Sequence, residues 1–64
     1  MGNRRAKDII RILKNNGFVQ VSQRGSHKKF KKGLVTVIIP DHGGKDLGFG
    51  LIKAIEKQTG VKLI

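Results

Sequence analysis

Residues 18–40 read Phe18-Val-Gln-Val-Ser-Gln-Arg24, then Gly25-Ser26, His27-Lys-Lys-Phe-Lys-Lys32, Gly33, Leu34-Val-Thr-Val-Ile-Ile39 and Pro40. The glycines cut this stretch into three runs of strand length, joined by links too short for a helical crossover. The spacing predicts strands over 18–24, 27–32 and 34–39, paired antiparallel. Val19 and Val21 alternate onto one face of the first strand, and Phe30 is the one apolar residue of the second. The third is the most apolar and β-branched, so it is expected at the centre of the sheet. Pro40 has no amide to donate and is expected to end it.

Helices flank this core. Ala6, Ile9, Ile10 and Leu13 recur at the spacing of one helical face, with Arg4, Arg5, Lys7, Asp8, Arg11 and Lys14 around the other side. A helix is therefore expected from about Asn3 or Arg4 to Asn15, with Asn3 as N-cap and Asn16-Gly17 as its stop. Phe18 either enters the strand or folds back onto that helix. Downstream, residues 41–48 form a glycine-rich loop. A second helix follows from about Phe49 or Gly50 to Thr59, with Leu51, Ile52 and Ile55 inward. Gly60 ends it, Val61 folds back, and Phe30 and Phe49 are expected in the core. The order is α-β-β-β-α: one α+β domain over 1–64, a three-stranded antiparallel sheet with two helices on one face.

Charge is the largest compositional departure. Fourteen Lys and Arg face four Asp and Glu in 64 residues, a net +10, of which residues 1–32 hold +9. Such an excess points to a polyanionic partner, nucleic acid first. A domain this short buries only about 60% of its unfolded surface, which leaves no room for a large substrate cavity. The absence of cysteine excludes disulfide frameworks, zinc fingers and thiol chemistry. No apolar run approaches the roughly 18 residues of a membrane span, and no signal-type stretch follows Met1. A cytoplasmic location is expected.

Few residues can carry chemistry. His27 lies among Arg24, Lys28, Lys29, Lys31 and Lys32. These cations disfavour a further positive charge, and a neutral imidazole can accept a proton as a general base. The same cations would attract a phosphodiester and stabilise the charge of its transition state. RNA carries its own nucleophile, the 2′-hydroxyl, so its cleavage requires a base, an acid and charge stabilisation. The residues alone equally allow an incidental histidine on a solvated basic strand. For His42, after Pro40-Asp41, a loop residue bonded to backbone or to Asp41 is the favoured reading over a second acid/base group. His27, His42 and Asp41 match no metal-ligand spacing, so no metal and no cofactor are expected. Gly43-Gly44-Lys45 lacks the spacing of a phosphate loop.

In order along the chain, Asn16-Gly17-Phe18, Gly25-Ser26-His27, the strand ending at Pro40, His42, Gly50-Leu51-Ile52-Lys53-Ala54-Ile55 and Gln58-Thr59-Gly60 resemble the HicA toxin family, from about Lys7 to Val61. The resemblance implies a small metal-independent mRNA interferase with a fold like a double-stranded-RNA-binding domain. It also implies a HicB antitoxin that binds the toxin and masks its active site. The histidine of the family's Gly-Ser-His motif is catalytic, which here is His27. Arg24, Ser26, Lys28, Lys29 and Lys31 are then the expected RNA-phosphate contacts. The second helix begins Gly48-Phe49-Gly50 without a lysine cluster, which argues against reading duplex grooves and for single-stranded mRNA. The alternative is a non-catalytic RNA-binding module using the same surface.

Overall fold

Two two-residue links organise the sheet in a computed structural model that describes residues 5–43 and 46–63. The strands are β1 (Val19–Arg24), β2 (His27–Lys32) and β3 (Val35–Pro40). Arg24 pairs with His27 and Lys32 with Val35, so Gly25-Ser26 and Gly33-Leu34 are the complete turns. Gly25 and Gly33 have φ of 58° and 59°, and no other residue type has positive φ among the described residues. A positive φ at the first turn position alone is the type II′ pattern, which suits the twist of a hairpin and favours glycine there.

Two successive hairpins place β2 in the middle, and the order is β1-β2-β3, antiparallel throughout. This corrects the expectation of a central third strand. Apolar content suggested it, but tight turns on both sides leave the second strand nowhere else to lie. Leu34 belongs to the turn and is fully exposed, at 100%. Pro40 is the last residue of β3 rather than the residue after it, and it pairs with His27. Its missing amide is tolerated because β3 is an edge. The β1–β2 register shifts between Gln20 and Ser22, a bulge at Val21.

Alternation divides the sheet into two faces. Phe30, Val37 and Ile39 are buried on one face, under α1 (Ala6–Asn15) and α2 (Phe49–Thr59). From α1 come Ala6, Ile9, Ile10 and Leu13, as the spacing predicted. Arg5 is extended just before the helix (φ −76°, ψ 152°), so α1 starts at Ala6, later than Arg4. The Asn3 cap lies outside the described residues. Phe18 folds back: it is buried, and its amide donates to the Leu13 carbonyl at 3.0 Å.

The second helix buries a narrower stripe than expected. Ile52 and Ile55 are buried, whereas Leu51 is 39% and Phe49 54% exposed. The core positions expected of them are filled from outside the helix, by Leu47 before it and Leu63 after it. Phe49 instead sits on the surface with the Lys53 ammonium 5.8 Å from its ring centroid. Gly60 ends α2 with its amide on the Glu56 carbonyl at 2.7 Å, and Val61 packs back against the core. None of the helices is long and apolar enough to cross a membrane, among the described residues.

Candidate active site

The even and odd residues of β2 have separate fates. Phe30 points into the core, so its neighbours at 28 and 32 share the helix-side face while His27, Lys29 and Lys31 share the other. Residues directly opposite across the ladder lie on the same face. That places Arg24, His27 and Pro40 in one row of the open face, Ser22, Lys29 and Ile38 in the next, and Val19, Lys31 and Thr36 in the third. His27 lines a shallow hollow there with Ser22, Arg24, Lys29 and Ile38. His27, Arg24, Lys29 and Lys31 are all exposed.

The basic cluster of β2 is thus split. Lys28 donates to the Asp41 carboxylate at 2.7 Å, with both side chains partly buried. Lys32 donates to the Asn16 carbonyl at 2.7 Å, and its ammonium stands 5.9 Å from the Phe18 ring centroid. The structure gathers Arg24, Lys29 and Lys31 with His27 and puts Lys28 behind them, on protein. Ser26 occupies the β1–β2 turn, and its carbonyl accepts the Asp41 amide at 2.7 Å.

These bonds hold the loop after β3. With the Asp41 amide on Ser26 and its carboxylate on Lys28, the chain turns so that His42 lies beside His27. The two ring centroids are 6.0 Å apart and the rings nearly perpendicular, at 86°. The Asp41 carboxyl is held below its usual range, chiefly by the Lys28 hydrogen bond, with partial burial opposing. The Lys28 charge, the Gly43 amide and the charge of His42 act in the same direction as that bond. Expecting His42 to be only a loop residue missed this pairing, although a signal existed. Once Gly33-Leu34 fixes the β2–β3 register, Pro40 falls opposite His27, and His42 follows two residues later.

The described residues contain no group of three or more His, Cys, Asp or Glu placed to hold a metal ion. What the arrangement can do is proton chemistry: two imidazoles, exposed, on a face whose fixed charges are cationic. The profile described as HicA toxin of bacterial toxin-antitoxin matches residues 6–61, and the chain belongs to that family. It is 42% identical over 55 residues to a Pseudomonas fluorescens (strain Pf0-1) protein named "Probable mRNA interferase HicA", covering 86% of this chain and 92% of that one. No solved structure matches the chain.

Proposed function

We propose that the protein is the toxin of a type II toxin–antitoxin pair, an endoribonuclease that cleaves single-stranded mRNA without a metal and with His27 as its catalytic residue. The observation that carries this reading is the position of His27: exposed on the open sheet face, opposite Arg24 and one row from Lys29. The family of the chain and its 42% identity to a protein named as a probable mRNA interferase support the endoribonuclease part of this reading.

In this reading the RNA backbone crosses the open face, with Arg24, Lys29 and Lys31 on phosphates and Ser26 at the edge of the turn. His27 takes the proton of the 2′-hydroxyl. The oxygen attacks the adjacent phosphorus, and the cations stabilise the added charge. Lys28, tied to Asp41, holds the site's loop. A HicB-like antitoxin would inhibit by covering this face. The face carries exposed Val19 and Ile38 beside its cations, so an acidic partner with an apolar centre fits it.

The test is cleavage of a defined mRNA in EDTA by the wild type and by His27→Ala. Wild-type protein should cleave, and the variant should lose about 10²–10⁴-fold, the span of a general base, with an unchanged circular dichroism spectrum. Undiminished cleavage by His27→Ala would sink the assignment. Salt-sensitive binding without cleavage by either protein would leave an RNA-binding module in its place.

A further inference from the structure

We propose that His42 is the second proton-transfer group of the site, the general acid that protonates the leaving 5′-oxygen; this rests on His27 being the base. Cleavage by the 2′-hydroxyl transfers two protons at two different oxygens, and one imidazole cannot attend both at once. The structure supplies a second imidazole at 6.0 Å between centroids, on a segment bonded to the strand pair that carries the first. Acid and base must each come within about 2.6–3.2 Å of their oxygens. Two exposed rings at this separation can flank one phosphate.

With His27 as the base, the second ring is left the acid's part. His27 shares its face with Arg24 and Lys29, cations placed to hold a phosphate beside it. His42 follows Asp41, whose carboxylate is kept ionised by Lys28 and Gly43. The charged groups on the face of the pair are Arg24 from β1 and Lys29 from β2, with Asp41 and its Lys28 partner behind, toward the helix side.

The step balances without a co-reactant. His27 accepts the 2′-hydroxyl proton as the bond between the 2′-oxygen and phosphorus forms. The bond between phosphorus and the 5′-oxygen breaks, and His42 gives its proton to that oxygen. The products are a 2′,3′-cyclic phosphate and a 5′-hydroxyl end. Exchange with water returns both rings to their starting forms.

The experiment compares two substrates in EDTA: an mRNA fragment, and uridine 3′-phosphate esterified to p-nitrophenol, whose phenolate leaves without needing a proton. His42→Ala should slow mRNA cleavage by about 10²–10⁴-fold and slow the nitrophenyl ester by less than about 10-fold. His27→Ala should be slow on both. His42→Gln, which keeps a polar side chain at the exposed position, should behave like His42→Ala. Wild-type rates for the His42 variants on mRNA would overturn the proposal, as would equal losses on the two substrates, since a misplaced loop harms both alike. A His27→Ala protein as fast as wild type overturns the parent reading and this one with it. An inactive His27→Ala protein beside fully active His42 variants overturns only the role of His42.

Discussion

Asp41 does for the site what neither histidine can do for itself. Its amide and carboxylate bind Ser26 and Lys28, both next to His27 in sequence, and so bring position 42 to position 27. The Lys28–Asp41 pair also ties stability to pH in a known direction. The folded carboxyl sits below the ordinary value of an aspartate, chiefly through its Lys28 hydrogen bond. Its contribution is therefore complete above about pH 4–5 and is lost as pH falls through the lower folded value. Asp41→Asn should reduce the melting temperature at pH 7, with the gap from wild type closing as pH falls below about 4; thermal melts at pH 7, 5 and 3 read it. A gap that is constant across that range would show that the ion pair contributes nothing.

Among the elements, β2 divides its alternate residues between a buried core face and an open face with His27, Lys29 and Lys31. Phe30 is its buried anchor, at 0% exposure, whereas Phe49 is 54% exposed. Phe30→Ala should cost about 3–5 kcal/mol. That is as much as a domain of this size usually has, so the variant should be largely unfolded. Phe49→Ala removes an exposed ring and its Lys53 contact, and should cost under about 1 kcal/mol. Urea titrations of both variants test the contrast, and equal losses would contradict this division of the core. These elements were legible wherever a local rule decides them. Glycine turns marked the hairpins, and the four-residue stripe of α1 marked its buried face. Strand order was misread from apolar content, because β3 keeps Val35 and Ile38 on its surface as well as Val37 and Ile39 in the core. Phe49 and Leu51 were misplaced for a related reason: Leu47 and Leu63 reach the core from segments with no periodicity to announce them. The meeting of His27 and His42 depends on an ion pair spanning 13 residues, and periodicity does not encode it. Hairpin register did, once the turns were known.

For the molecule as a whole, a net +10 is a less informative number than where the charges stand. Lys7, Arg11 and Lys14 of α1 line a separate hollow with Lys28 and Asp41, on the helix side of the sheet. Arg24, Lys29 and Lys31 are on the open side with His27. If RNA crosses the open face alone, three phosphates are neutralised. Each contributes about 0.7 to the slope of log affinity against log salt for a single strand, so the slope should be about −2. Engagement of the α1 cations as well would about double it. The measurement is anisotropy of a labelled single-stranded RNA with the His27→Ala protein, from low to physiological salt. Lys29→Ala should flatten the slope by about 0.7, and Lys7→Ala or Lys14→Ala should leave it unchanged. Flattening by the helix substitutions instead would place the RNA on the wrong side of the sheet for His27 to reach it, and the catalytic assignment would fall with the path of the strand.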